Sequence, residues 1–255
     1  MRRHRIAAGW GVAAFLTGAL AAAPVSAQAR HSDDESGPTA QFFKDVAGDY
    51  LHFFSKETVI WLGTGGGLAL AVHPADDAIR DETQGSSTLT TTLEGGAWYG
   101  NGLAQIPLAV AWWTIGHASG SARGAAAGRD LTRAQILTAA WTYPLKIAVG
   151  RTRPNGEPRS FPSGHASASF ATAMVLEDHY GWKVGVPAFA AAAYTAVSRL
   201  TDNKHWASDV VFGAFLGVAS ARTVTIHLRK TDVTVAPQAA PGGVGVLVHV
   251  GRAGS

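Results

Sequence analysis

The sequence predicts an all-α fold, a helical bundle of about six core helices with a short β-hairpin after it. Of the 255 residues, 47% are hydrophobic and only 15% are charged, against roughly a quarter in average soluble proteins. Apolar side chains recur with the period of an α-helix through most of the chain, and they alternate only after Lys230. So low a charge content favours a membrane protein or a large buried helical core.

The first residues have the pattern of an export signal. Basic residues at the N-terminus precede an apolar run over 6–23, and small residues that resemble a cleavage site follow it. We therefore predict a signal peptide over 1–27 and a polar linker over 28–40. The expected location is periplasmic, or membrane-associated with an active site that faces the periplasm.

The helical domain is predicted to span 41–230. Aromatic and aliphatic residues recur at helical spacing from Phe42 to Phe54, which is typical of an amphipathic helix. Residues 76–94 are rich in Asp, Ser and Thr and are predicted to form mostly a surface loop. Longer apolar segments predict helices within 95–122 and over 131–149, 163–178, 184–200 and 206–228.

A glycine cluster lies in the uncharged run 58–72. A nucleotide-binding loop would need a following lysine or a strand-turn-helix context, and the sequence offers neither. Close helix packing through Gly63 and Gly67 is favoured instead, as it is through Gly213 and Gly217.

The tail over 231–255 differs in pattern from the helical domain. Valines alternate over 244–250 after a Pro-Gly-Gly turn, which predicts a β-hairpin with no reactive residues of its own. The chain has no cysteine, which excludes disulfides and cysteine-bound metals. Its net charge of +3 comes without a long run of Lys or Arg, so nucleic acid is not an expected partner.

Reactive residue types are concentrated in three stretches of the second half of the chain. The middle stretch, 159–165, places a serine, a glycine and a histidine at the mouth of a predicted helix. The N–H groups of a helix N-terminus bind anions, although Pro-Ser-Gly is also an ordinary turn before an N-cap. The residues of interest are Lys146 and Arg153, then Ser163, Gly164 and His165, then Arg199, His205 and Asp209.

Helix lengths indicate that the three stretches meet. A helix that starts at His165 rises on the order of 22 Å before the short turn at 181–183 returns the next helix antiparallel to it. Arg199 and His205 therefore come back to the end of the bundle where His165 lies. The first stretch lies just upstream of that end, so the sequence predicts an active site at one end of the bundle.

The converging residue types suit phosphoryl transfer. The three cations would bind the phosphoryl oxygens, helped by the Ser163 hydroxyl and a backbone N–H. His205 would attack phosphorus, and Asp209, one helical turn away, would fix its tautomer. His165 would protonate the leaving oxygen and then activate water. Three cations would repel a divalent metal, so no metal ligands are predicted.

The order and spacing of these motifs resemble a known family. Over 146–209 the chain carries Lys-(six residues)-Arg-Pro, Pro-Ser-Gly-His and Ser-Arg-(five residues)-His-(three residues)-Asp. This pattern is similar to the full signature of the phosphatidic acid phosphatase type 2 and vanadium-dependent haloperoxidase superfamily. The resemblance implies catalytic roles for His205, His165 and Asp209, and phosphate binding by Lys146, Arg153, Ser163, Gly164 and Arg199.

Other polar residues have simpler interpretations. Arg151 and Arg159 either steer anions toward the site or form solvated surface. Asp76 and Asp77 are expected in the solvated loop. The remaining histidines considered fit no constellation; they are His52, His73, His117, His179 and His227.

The expected enzyme is a metal-independent acid phosphatase or phosphatidic acid phosphatase type 2-like phosphohydrolase that works through a phosphohistidine. One alternative is a vanadate-dependent haloperoxidase, although family haloperoxidases tend to be much longer. Another is a non-catalytic, membrane-associated phosphate-binding protein. No cofactor is expected, and vanadate would enter the site as an inhibitor or, in the first alternative, as the cofactor.

The motifs bind phosphate and do not select the leaving group. The expected substrate is therefore a lipid phosphate or a soluble phosphomonoester, among them phosphatidate, an isoprenyl diphosphate and a lipid A phosphate. The last two apolar runs are short against the roughly twenty residues that span a bilayer. This favours an exported protein that associates with the membrane.

Overall fold

The computed structural model of the chain describes residues 37–84, 86–93, 95–226, 231–240 and 243–252. The predicted signal peptide and the linker up to residue 36 lie outside these residues. Within them the all-α prediction is confirmed, and the predicted hairpin follows the last helix.

Helices account for most of the described residues. They are α1 Pro38–Leu51, α2 Lys56–Val72, α3 Asp76–Gln84, α4 Ser87–Leu93, α5 Gly96–Tyr99, α6 Gly102–Ala118, α7 Ala122–Val149, α8 Gly164–Tyr180, α9 Trp182–Thr201 and α10 Ala207–Ile226. A 3-10 turn, His73–Ala75, joins α2 to α3. Strands β1 Thr231–Ala240 and β2 Gly243–Arg252 pair antiparallel, with Thr231 opposite Arg252.

Two helix starts differ from the sequence predictions. Helix α1 begins at Pro38, inside the predicted linker, and α7 begins at Ala122 instead of residue 131. The early start of α7 has a local cause, because the Ser121 hydroxyl accepts a hydrogen bond from the Gly124 N–H at 3.0 Å and caps the helix.

The prediction of a mostly irregular loop over 76–94 is wrong, because α3 and α4 occupy most of that segment. Two carboxylates, Asp76 and Asp77, lie in the first turn of α3, where they interact favourably with the helix dipole. Asp77 also forms an ion pair with Arg80 one turn later, at 3.0 Å. Polar composition alone therefore did not distinguish a short solvated helix from a loop.

The core of the bundle lies between α7, α8 and α10. Leu137, Val175 and Leu216 represent these three helices in one cluster of buried side chains. Helices α8 and α9 pack against each other across a tight turn at Gly181, whose φ of 79° is rare for other residues. The antiparallel return predicted from the helix lengths is therefore present, and it brings the end of α9 back to the start of α8.

Glycines allow α10 to approach α8 closely. An added Cβ would lie 2.6 Å from the Ser163 carbonyl oxygen at Gly213 and 2.1 Å from the Ser167 carbonyl oxygen at Gly217. The predicted close packing at these two glycines is confirmed. At Gly63 and Gly67 it is wrong, because nothing lies within 4 Å of an added Cβ.

In α2 the glycine in close contact is Gly65, whose added Cβ would meet Phe215 Cβ at 2.3 Å. The glycine spacing was recognised correctly, but the face of the helix that packs against α10 was not. A run of consecutive glycines does not fix the rotation of a helix about its axis.

We predict opposite effects on stability for two glycine-to-alanine substitutions. Gly217→Ala forces a methyl group into the backbone of α8 and should destabilise the fold by about 1 to 3 kcal/mol, the usual range for overpacking. Gly67→Ala meets open space and should stabilise α2 by up to about 1 kcal/mol through helix propensity. Urea unfolding of the two variants measures both values, and equal losses of stability would contradict the packing described for α10.

One helix among the described residues, Ala207–Thr225 within α10, is long and apolar enough to cross a membrane, and 72% of it is buried inside the bundle. The core helix of a soluble protein has the same properties, so this segment alone does not define a membrane topology.

Candidate active site

A backbone hydrogen bond joins the start of α8 to the first turn of α10. The Ser163 N–H donates to the Asp209 carbonyl oxygen at 3.0 Å, and the Ser163 hydroxyl accepts from the Ala166 N–H at 3.4 Å. Ser163 is therefore an N-cap residue, and Gly164 and His165 form the first turn of the helix. The N-cap interpretation and the anion-site interpretation are compatible, because the same turn borders a cavity.

A cavity of about 740 Å³ lies at this end of the bundle. Six of the eight predicted site residues line it: Lys146, Arg153, Gly164, His165, Arg199 and His205. Ser163 and Asp209 lie behind them and are fully buried. The end of α7, the start of α8, the end of α9 and the loop before α10 therefore meet as the sequence predicted.

The three cations are held in place by the protein and repel one another. Lys146 Nζ donates to the carbonyl oxygens of Arg159 and Ser160 at 3.1 and 3.2 Å. Burial, with a contribution from the charge of Arg153, lowers the pKa of Lys146 to about 8. Burial and the same arginine lower the pKa of Arg199 to about 10. An anion in the cavity would relieve this repulsion.

The guanidinium nitrogens of Arg153 and Arg199 are only partly paired. The Nε atoms of Arg153 and Arg199 are buried and have no hydrogen-bond partner among the described residues. The other nitrogens are partly engaged, since Arg153 Nη1 donates to Glu157 at 2.7 Å and Arg199 forms an ion pair with Asp202. Buried N–H groups without partners are costly, and phosphate oxygens would satisfy them.

His205 lies next to the buried carboxylate of Asp209. Its Nδ1 is 3.7 Å from Asp209 Oδ2, within range of an ion pair but beyond a normal hydrogen bond. This nitrogen has no hydrogen-bond partner among the described residues. Burial, with nearby positive charge, lowers the pKa of His205 to about 4. The imidazole is therefore neutral near pH 7, the state that a nucleophile requires.

Asp209 remains ionised although it is fully buried. Burial alone would raise its pKa, but His205, the Ser160 hydroxyl and the Trp206 N–H together hold the pKa below its ordinary value. Ser160 and Trp206 both donate to Oδ2, the latter at 2.9 Å. Arg151 Nη1 donates to Oδ1 at 2.8 Å. The carboxylate is thus fixed in one orientation beneath His205.

His165 is also a neutral imidazole near pH 7. Burial and the positive charge of Arg199, with smaller effects from His205 and Lys146, lower its pKa to about 4. A phosphate dianion in the cavity would oppose these effects and favour the protonated imidazole. Proton donation by His165 would therefore depend on the presence of the substrate.

Several residues around the site were assigned differently from the sequence. Asp76 was expected in a solvated loop but is only 4% exposed. Arg151 was expected either to steer anions or to form solvated surface, yet it bridges Asp76 and Asp209. Ser160 was not singled out, although it is fully buried against Asp209. Its position next to the Pro-Ser-Gly-His motif was the available signal.

An ion-pair cluster lies at the cavity wall. Glu157 accepts from Arg153 Nη1 at 2.7 Å and from Lys204 Nζ at 2.8 Å. Arg159 lines the cavity, as do Glu157 and Lys204, and this position agrees with the anion-steering alternative. His179 pairs instead with Asp130 at 2.9 Å, near the opposite end of α8.

Comparison with protein families matches the segment 155–232 to the PAP2 superfamily. This segment, 78 of the 255 residues, is similar to the PAP2 superfamily. The matched segment contains the second and third motifs, and the first motif lies directly before it. The family resemblance inferred from the motif spacing is thereby confirmed.

Two curated relatives match part of the chain. It is 40% identical over 77 residues to a lipid A 1-phosphatase of Porphyromonas gingivalis, a match that spans 29% of the chain and 17% of the relative. It is 30% identical over 80 residues to a lipid A 4'-phosphatase of Helicobacter pylori, a match that spans 31% of the chain and 40% of the relative. The matches thus cover less than half of either relative's length.

Two solved structures share the fold. Aquifex aeolicus LpxE aligns with a TM-score of 0.51 and 20% identity over 59% of this chain and 94% of that one. A transmembrane PAP2-type phosphatidylglycerolphosphate phosphatase from Bacillus subtilis aligns with a TM-score of 0.50 and 20% identity over 73% of this chain and 93% of that one. At this identity the similarity supports the helical PAP2 fold.

Proposed function

We propose that the chain is a metal-independent phosphatase that hydrolyses lipid phosphates through a phosphohistidine at His205. The observation that carries the proposal is that Lys146, Arg153 and Arg199 line one cavity together with two neutral imidazoles, one of which contacts a buried carboxylate. The curated relatives are lipid A phosphatases, which supports phosphoryl chemistry on a lipid.

In the proposed reaction, the three cations hold the phosphoryl oxygens. Because His205 Nδ1 faces Asp209, Nε2 is the atom available for attack, and it forms a P–N bond as the P–O bond to the leaving group breaks. His165 transfers a proton to the leaving oxygen. A water molecule then attacks the phosphohistidine and gives a proton to His165, and inorganic phosphate leaves.

The cavity is far larger than a phosphate group. Gln135 and Lys146 both line it and both lie on α7, so it extends about 16 Å along that helix. Beyond the cations its wall includes the apolar side chains of Ile106, Ala139 and Ile147. These features support a large and partly apolar leaving group.

Membrane association is part of the proposal. Large apolar side chains are exposed on several helices, among them Phe43, Leu51, Ile60, Leu70, Ile147 and Trp182. A soluble monomer rarely exposes extensive apolar surface, and a lipid substrate must be reached at a bilayer. Together with the predicted signal peptide, this supports an exported protein that associates with the membrane, and we propose that its site faces the periplasm.

A substrate panel tests the proposal. Purified protein would be assayed in EDTA for phosphate release from lipid A phosphate, phosphatidate, an isoprenyl diphosphate and a soluble phosphomonoester, each with and without detergent. Phosphate release that is unaffected by EDTA and fastest on a lipid supports the proposal. Vanadate-dependent bromide oxidation without phosphate release would identify a haloperoxidase, and binding of phosphate without either reaction would identify a binding protein.

We expect the pH dependence of kcat/KM to reflect the ionisation of Lys146. Its ammonium is charged below a pKa of about 8 and neutral above it, so kcat/KM should fall as the pH rises through about 8. In Lys146→Arg the guanidinium stays charged, and the alkaline limb should move to higher pH. Both enzymes would be measured on the same substrate so that its ionisation is identical. An alkaline limb that stays in place in Lys146→Arg would contradict the assignment.

A further inference from the structure

We infer that Arg151 and Asp76 are positioning residues that hold the Asp209 carboxylate beneath His205. The inference rests on the proposed function, and neither residue belongs to the family signature found in the sequence. Arg151, Asp76 and Ser208 form a network of charged and polar groups around Asp209. Phosphate binding alone does not explain this network, and the inference gives it a role.

The first step is the geometry of Arg151. Its Nη1 donates to Asp209 Oδ1 at 2.8 Å and to the Ser208 hydroxyl at 2.8 Å. Its Nη2 donates to Asp76 Oδ2, also at 2.8 Å. One planar guanidinium thus bridges two buried carboxylates, and it also lies 5.2 Å from the centre of the Trp206 ring. An arginine held on three sides has little freedom to rotate.

The second step is the anchoring of Asp76. Its Oδ1 accepts from the Ser208 N–H at 2.9 Å, and its Oδ2 accepts from the Ser208 hydroxyl at 2.6 Å. The His73 ring contacts the same Oδ2 at 2.9 Å. Asp76 therefore ties the start of α3 to the first turn of α10, the turn that carries Asp209.

The third step is the electrostatic consequence. Asp76 and Asp209 are 4% and 0% exposed, and Arg151 is the cation that contacts both. Removal of its charge would leave two buried carboxylates to repel each other, and Oδ1 of Asp209 would lose its Arg151 donor. Among the described residues, only Ser160 and the Trp206 N–H, both at Oδ2, would then hold the carboxylate. Its position next to His205 would be less well defined, and it would stabilise the imidazole less as charge develops.

The fourth step separates positioning from substrate binding. Arg153 lines the active-site cavity, whereas Arg151, two residues earlier, lies outside its lining. Arg151 instead borders a separate cavity of about 370 Å³, together with His73 and Phe212. Loss of Arg151 should therefore reduce kcat with little change in KM, and loss of Arg153 should raise KM.

The experiment compares Arg151→Met, Arg151→Lys, Asp76→Asn and their double combination with a matched control, Arg222→Met. The control arginine is as buried as Arg151, with side-chain exposures of 21% and 22%, and it also pairs with a buried carboxylate, Asp178. Asp178 lies about 20 Å along α8 from His165. For each variant we would measure kcat, KM, thermal unfolding, and inhibition by phosphate and by vanadate, which mimics the transition state.

We expect Arg151→Met to reduce kcat by about 10-fold to 100-fold, by analogy with metal sites that lose a residue supporting a ligand. KM and inhibition by phosphate should change less than about twofold, and vanadate inhibition should weaken in parallel with kcat. Arg151→Lys should recover part of the rate. Combining Asp76→Asn with Arg151→Met should cost less than the product of the single losses, because the two residues act as one unit.

Three results would overturn the inference. An unchanged kcat in folded Arg151→Met would show that the bridge has no effect on the reaction. A raised KM with unchanged kcat would make Arg151 a substrate ligand. Equal losses in Arg151→Met and Arg222→Met, in proportion to unfolding, would make the network purely structural. If the wild-type chain releases no phosphate, the proposed function itself fails, and vanadate binding to wild type and Arg151→Met would still test the positioning role.

Discussion

His205→Ala should abolish phosphate release, with a loss of at least about 10⁴-fold in kcat, as expected when a covalent nucleophile is removed. His205 is 5% exposed and lines the cavity, so alanine leaves a space of imidazole size beside the cations. Imidazole added to the solution should enter this space and restore part of the rate. Colorimetric phosphate release with and without imidazole measures both effects.

The control for this variant is His117→Ala, which removes an exposed histidine from the last turn of α6. It should retain full activity and stability. A folded His205→Ala protein with more than a tenth of the wild-type rate would show that another group attacks phosphorus. That result would contradict the reaction proposed here.

His165→Gln should have an effect that depends on the leaving group. An alkyl phosphate needs a proton on its departing oxygen, so its kcat should fall by about 10² to 10⁴, the usual contribution of a general acid. An aryl phosphate leaves as a stable phenolate, so the first turnover should be nearly as fast as in wild type. Later turnovers should be slow, because His165 also activates the water that releases the phosphohistidine.

Rapid-mixing measurement of phenolate release distinguishes these steps. A burst followed by a slow phase is expected in His165→Gln, and a much smaller burst in wild type. If the first turnover slows equally with the aryl and the alkyl substrate, His165 serves phosphate binding and is not the proton donor.

The sequence predicted that these residues would lie close together because they stand at helix ends. Ser163 caps the start of α8 and Arg199 lies in the last turn of α9. An antiparallel pair of helices with a short turn brings those two ends together. Lys146 similarly lies in the last turn of α7. Local spacing and helix length therefore contained most of the information about the cavity.

The supporting charges were not predictable in the same way. Asp76 and Arg151 are distant in sequence, and each looks like an ordinary surface charge in its own segment. Their contact depends on how the turn after α2 packs against the start of α10, which no local pattern specifies. The rotation of α2 about its axis places Gly65 against Phe215, and not Gly63 or Gly67. This rotation could not be predicted either, because it also depends on packing between distant segments.

Trapping of the phosphorylated enzyme tests the central claim most directly. His165→Gln would be mixed with an aryl phosphate, quenched in alkali, digested and examined by mass spectrometry. We predict a phosphate on His205 that is stable in alkali and lost in acid, and that is absent when His205 is replaced by alanine. Steady phenolate release with no phosphorylated residue, or with phosphate on a residue other than His205, would contradict the phosphohistidine mechanism.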